Sequence, residues 1–256
     1  MQNRKTAIIG AICFLLVGIF VAYSFFKNED LSSSSVNSSV IEDTFTIESI
    51  KLNKHDSSNS DDLPNIENIR DVFSIEQTDS YRRDNDPNGN AVRIIESSNA
   101  TYEIKENSDW EDKTVLLKDG TEIWSENLVF TTYDPIRSYF NVEESIVLAY
   151  DHFADNSQRQ RDVIVNGESM NEKYAAQSSF AAYKLKSDFV FFVEKDSKNH
   201  LVIGGSSYEL PSVIKEIIDP PCCSGAAYEI IAENNQIVFY SVNQDGYWYQ
   251  NKITLE

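Results

Sequence analysis

Four stretches of this chain can be laid over one another, and that self-similarity limits the fold more than any other feature. Their first halves read ATYEIKE from Ala100, SIVLAYDH from Ser145, DFVFFVEKD from Asp188 and QIVFYSVNQD from Gln236. Their second halves read KTVLLKDGTEIW from Lys113, RDVIVNGESMN from Arg161, HLVIGGSSYEL from His200 and GYWYQNKITLE from Gly246. β-branched and aromatic residues dominate both halves, and short apolar runs of this kind suit strands. Polar turns separate the halves: NSDWED, FADNSQRQ, SKN and NQD. In the first three units the second half runs into Asp119-Gly120, Asn166-Gly167 or Gly204-Gly205. Such dipeptides supply the positive φ that a tight hairpin turn needs.

The first halves begin 45, 43 and 48 residues apart, and each later unit is preceded by a further short apolar run, YFNV, SFAAYKL or AAYEII. Three to four antiparallel strands recurring at this period are what a β-propeller blade requires. Over residues 100–256 the "strand, polar turn, strand, DG/NG/GG" pattern resembles the WD40-like propeller repeats of the TolB type, although no Trp-Asp dipeptide occurs. The resemblance implies an all-β, propeller-like array of about four units. It implies no single activity, since such folds carry scaffolds, binding modules and enzymes alike. A β-sandwich of ordinary hairpins is the alternative architecture.

Ahead of the repeats lies an uncharged run from Thr6 to Phe26, TAIIGAICFLLVGIFVAYSFF. At about 1.5 Å per residue a helix of this length reaches across the roughly 30 Å hydrocarbon core of a bilayer. Arg4 and Lys5 precede it, whereas Lys27 is followed by Glu29 and Asp30. The expected topology is a single-pass signal anchor, with residues 1–5 in the cytoplasm and the C-terminal part outside it. Ala22-Tyr23-Ser24 also has the small-x-small form of a cleavage site, so secretion after cleavage is the alternative. Residues 27–63 are serine-rich, with eight acidic residues against three basic, and read as an acidic linker. Within it TFTIESI alternates in the manner of a strand able to dock on the domain. The soluble domain is then expected over residues 64–256.

The chain carries a net charge of −19: +2 before residue 27, −5 over the linker and −16 on the domain. Phosphate backbones are repelled by such a surface, so nucleic acid is not an expected partner. Two cysteines lie beyond the apolar run, the adjacent Cys222 and Cys223 in PPCCSG. Adjacent cysteines cannot staple distant strands. A vicinal disulfide, which needs a distorted turn, stands beside inert thiols and a reactive or metal-binding pair as the readings left open.

Asp84, Asp86 and Asn88 in DNDPNG match the alternating oxygens that open a calcium loop. The twelfth position is Ile95, with Glu96 one residue late, and Asp-Pro with Asn-Gly already makes a polar turn. Ca²⁺ is therefore the one cofactor suggested, and a plain turn the simpler reading. His55, His152 and His200 are dispersed, and Ser169 in GESMN lacks a nucleophile elbow, so no catalytic residue stands out. Trp248 between Tyr247 and Tyr249 is expected to pack in a core rather than to stack on a ligand. The leading expectation is a membrane-anchored binding or scaffold module of the cell envelope, with a protein or glycan partner. An envelope hydrolase with its site at the end of a propeller channel is the alternative.

Overall fold

The computed structural model of the chain describes residues 36–41, 45–58, 64, 92–97, 99–106, 113–128, 135–153, 159–185, 188–219 and 230–255. Strands β1 (Val36–Ile41) and β2 (Phe45–Lys54) come first. Four further strands, β3 (Val92–Glu96), β4 (Thr101–Glu106), β5 (Lys113–Lys118) and β6 (Thr121–Asn127), form the first sheet in chain order. The second sheet is β7 (Ile136–Val142), β8 (Ser145–Phe153), β9 (Arg159–Val165) and β10 (Glu168–Ser169), followed by the short helix α1 (Met170–Tyr174). The third is β11 (Ser178–Leu185), β12 (Asp188–Lys195), β13 (Lys198–Ile203) and β14 (Ser206–Glu209). Strands β15 (Ile214–Ile218), β16 (Ile231–Glu233), β17 (Gln236–Asn243) and β18 (Tyr247–Leu255) belong to the fourth.

All four sheets are antiparallel, and the repeat units fall one to a sheet. The dipeptides expected to turn do so: Asp119 and Gly120, Asn166 and Gly167, and Gly204 and Gly205 all have positive φ. These pairs join β5 to β6, β9 to β10 and β13 to β14, as two-residue hairpin loops with the right-handed twist of their strands. A β-sandwich would use two sheets where this chain uses four.

Side-chain alternation explains how the sheets stack. In the second sheet Ile146, Leu148 and Ile164 pack against Tyr102, Ile104 and Leu116 of the first. The intervening Val147, Ala149 and Val163 pack against Phe191, Val193 and Val202 of the third. On the other face of the third sheet, Val190, Phe192 and Leu201 meet Phe45, Ile237, Phe239 and Ile253 of the fourth. Successive residues of a strand point to opposite faces, so a sheet covered on both sides needs an unbroken apolar run. SIVLAY and DFVFFV are such runs, whereas over residues 101–105 of TYEIKE the buried side chains are Tyr102 and Ile104. Among the described residues no core cluster joins the fourth sheet to the first.

The linker boundary needs correction. Residues 45–54 lie inside the stretch read as a tether, yet β2 runs antiparallel to the last strand, β18, from Leu255↔Phe45 to Tyr247↔Lys54. Phe45 and Ile50 are wholly buried and Ile47 nearly so. The TFTIESI alternation is a docked strand, because its apolar face meets the third sheet while its backbone satisfies the free edge of β18. Counted with β1, which pairs with β2, the described domain starts at Val36 rather than near residue 64. The expected anchor at residues 6–26 lies outside the described residues, and among those described no helix is long and apolar enough to cross a membrane.

Candidate functional site

The odd-numbered face of β9 changes character along its length. Val163 and Val165 sit in the apolar layer between the second and third sheets, while Arg159 and Arg161 continue the same face beyond it. They enter a cleft of about 510 Å³ lined also by Phe180, Glu194, Asn199 and the β15 end from Lys215 to Asp219. Three sheets contribute to this lining. Register places the groups together: Asp151 pairs with Arg161 across β8 and β9, and Glu194 pairs with both Ser178 on β11 and Asn199 on β13.

Arg159 holds Asp151 with two parallel bonds, Nε to Oδ1 at 2.8 Å and Nη2 to Oδ2 at 2.6 Å, the fork geometry that suits a carboxylate. Its Nη1 donates to the Asp219 carbonyl at 2.7 Å. Arg137, at a bulge in β7, lies 4.0 Å from a carboxylate oxygen of each of Asp151 and Asp219. The Asp151 side chain is 2 % exposed and that of Asp219 10 %, so these charges are held largely away from water. Such a cluster adds little net stability, but losing one partner leaves a buried charge uncompensated. Its structural effect is to tie the end of β15 in the fourth sheet to β9 in the second.

Arg161 is held differently. Its guanidinium lies 3.9 Å from the Phe180 ring centre, a cation–π contact. Only two longer hydrogen bonds engage it, Nη1 to Asp219 Oδ2 at 3.3 Å and Nη2 to Ser178 Oγ at 3.2 Å. Burial lowers its pKa, an effect opposed chiefly by Asp219, and a guanidinium stays protonated regardless. Of its five donors, three take part in no hydrogen bond among the described residues. Ser178 passes a 3.4 Å bond on to Glu194, an exposed carboxylate at the rim. Asn199 is fixed by its amide, which donates to the Ile214 carbonyl at 3.1 Å.

A second polar cluster is structural. Asp162, buried in the second sheet, accepts from Ser179 Oγ at 2.8 Å, Ser169 Oγ at 2.5 Å and the Asn171 backbone at 3.0 Å. Ser169 in turn accepts from the Glu172 N–H, so this serine is the cap of α1 and is occupied in that role.

Of the other residues singled out from the sequence, those described do not line the cleft. Asp84, Asp86, Asn88, Cys222 and Cys223 lie outside the described residues. His55 packs edge-on against Trp248 at 5.2 Å, and His200 lies 3.4 Å from Ser207 with its pKa lowered by burial. His152 belongs to β8. Trp248 is buried, as a packing role demands, with Tyr240 and Val242 beside it. Among the described residues no group of three or more His, Cys, Asp or Glu is placed to hold a metal.

Arg159 reads as turn in the sequence, within FADNSQRQ, yet β9 starts at that residue. The signal available was the alternation of RQR leading directly into DVIV, which continues a core face with cationic residues. No protein-family model matches this chain, and no curated protein matches it.

Proposed function

We propose that this chain is a membrane-anchored binding module that works outside the cytoplasm, its four β units arranged as a propeller-like array. The observation that carries the binding role is the charged cleft of about 510 Å³, lined from three sheets, with Arg161 at its floor. Its size falls within the range of small-ligand sites. A propeller-like arrangement is supported by one repeat per sheet, by packing of consecutive sheets, and by a last sheet built from both ends of the chain. Joining N-terminal β2 to C-terminal β18 is how a ring of sheets locks its seam.

The anchor is supported by the uncharged run from Thr6 to Phe26 and the basic residues before it. Partners are expected among envelope proteins or glycans.

The full chain, carrying a C-terminal tag, tests both parts. Membranes washed at alkaline pH should retain it, and protease added from outside should remove the tag. Recovery of a soluble form whose N-terminus lies near Ser24 would replace the anchor with secretion. Immobilised full chain should retain a saturable envelope component that Arg161→Gln releases. Failure to retain any protein or glycan would overturn the macromolecular partner.

A further inference from the structure

We infer that the cleft binds a free α-amino acid, its carboxylate on Arg161 and its ammonium on Glu194. This rests on the binding-module reading and names its ligand. Arg161 has five donors and makes two hydrogen bonds among the described residues, both longer than 3.1 Å, while Phe180 fixes its guanidinium plane. A carboxylate is the planar acceptor that matches such a fork. Among the described residues the Glu194 carboxylate accepts one hydrogen bond, the 3.4 Å contact from Ser178. The same Ser178 hydroxyl touches Arg161, so cation and anion stand one hydroxyl apart. A ligand bridging them must hold a carboxylate and an ammonium close together, and an α-amino acid carries both on one carbon.

Long-range electrostatics point the same way. The chain's net charge of −19 disfavours the approach of a free anion such as phosphate or a dicarboxylate. A zwitterion has no net charge and escapes that repulsion. Ile217, which shares a core layer with Phe180, gives the cleft an apolar wall, which favours leucine or a similar residue over a charged one.

Calorimetric titration of the full chain in detergent micelles with leucine, leucinamide, N-acetyl-leucine and trialanine tests the assignment. Leucine should bind at one site per chain, and each blocked form roughly ten- to hundredfold more weakly, as expected for a lost charged hydrogen bond. Glu194→Gln is a rim substitution that leaves the core untouched. It should erase the preference for leucine over N-acetyl-leucine and keep the preference over leucinamide. Arg161→Gln should abolish the latter. No saturable leucine binding up to about 10 mM, equal binding of the blocked forms, or binding of trialanine alone would each overturn the inference. The blocked ligands separate these outcomes on the unmutated chain. If leucine fails while the immobilised chain still retains an envelope partner, the ligand assignment falls and the binding module stands.

Discussion

Replacing Gly167 by alanine adds a single methyl group where the second sheet meets the first. Gly167 closes the β9–β10 hairpin with φ +85°, a region an L-residue enters at a cost of about 1–2 kcal/mol. A Cβ built there would also stand 2.5 Å from the Ile123 carbonyl oxygen and 3.2 Å from its carbon. Both are backbone atoms of β6, so no side-chain rotation relieves the clash and one sheet must shift against the other. Forcing extra volume into a packed site costs about 1–3 kcal/mol. The two effects together predict a loss of about 2–5 kcal/mol, a large part of the roughly 5–15 kcal/mol a domain holds in reserve.

Gly205 supplies the control. It has φ +88° in the equivalent β13–β14 hairpin, and nothing lies within 4 Å of its hypothetical Cβ. Gly205→Ala should therefore show the backbone cost alone, about 1–2 kcal/mol. Urea denaturation followed by tryptophan fluorescence measures both, and Trp124, whose ring lies 5.7 Å from that of Tyr150, reports on the interface concerned. The comparison is valid if the two variants share one denaturant slope. Equal losses for Gly167→Ala and Gly205→Ala would refute the claim that Gly167 is needed for close approach as well as for its turn.

Phe45→Ala, at a wholly buried ring in edge-on contact with Tyr208, should cost about 3–5 kcal/mol in the same assay; under about 0.5 kcal/mol would return residues 45–54 to the tether. Ala175 ends α1 in the left-handed region at φ 50°, so Ala175→Gly should raise stability by about 0.5–1 kcal/mol by denaturation, and a loss would refute the cap assignment. The Lys51–Asp245 pair predicts a shallow pH dependence at both ends of the range. Burial tends to raise the Asp245 pKa, but bonds from Lys51, Tyr249 and the Tyr247 N–H outweigh it and hold it below its ordinary value. Its contribution is thus full above the unfolded value near about 4 and fades as pH falls through the lower folded value. The Asp245 bond raises Lys51, whose contribution is full below about 10.4 and fades as pH rises through the folded value. Lys51→Met should flatten both limbs of a stability-against-pH curve, by a small amount because the pair is exposed.

Much of the fold is written locally. Period-two alternation and glycine turns concern neighbouring residues, and they locate the central strands and hairpins of all four units. Layer position is written too: unbroken DFVFFV belongs to a sheet covered on both faces, alternating TYEIKE to one covered, among the described residues, on a single face. What local pattern cannot show is a partner far along the chain. TFTIESI alternates within a polar stretch that no local interaction would order, and its place follows only from β18, which ends at Leu255. Gly167 shows the same limit at one residue, since its dipeptide explains the turn but not the nearness of Ile123.

The cleft was hidden for a related reason, and that reason also accounts for its position. In an antiparallel meander the polar end of one strand lies beside the polar start of the next. Asp151 near the end of β8 therefore meets Arg161 near the start of β9, and Glu194 at the end of β12 meets Asn199 at the start of β13. Read along the chain, each is a residue flanking a turn, and turn flanks are polar in any β protein. Stacking the second and third sheets with their hairpins at the same end brings those flanks together, and Asp219 at the exit of β15 completes the cluster. A repeat of hairpins thus concentrates its least apolar residues at one end without any motif in the sequence. Variation in the turn flanks changes the cleft while the alternating core face beneath it stays intact. Substitutions at Glu194 or Lys215 therefore change the charge of the cleft and leave the packing of Val163, Val193 and Leu201 unaltered.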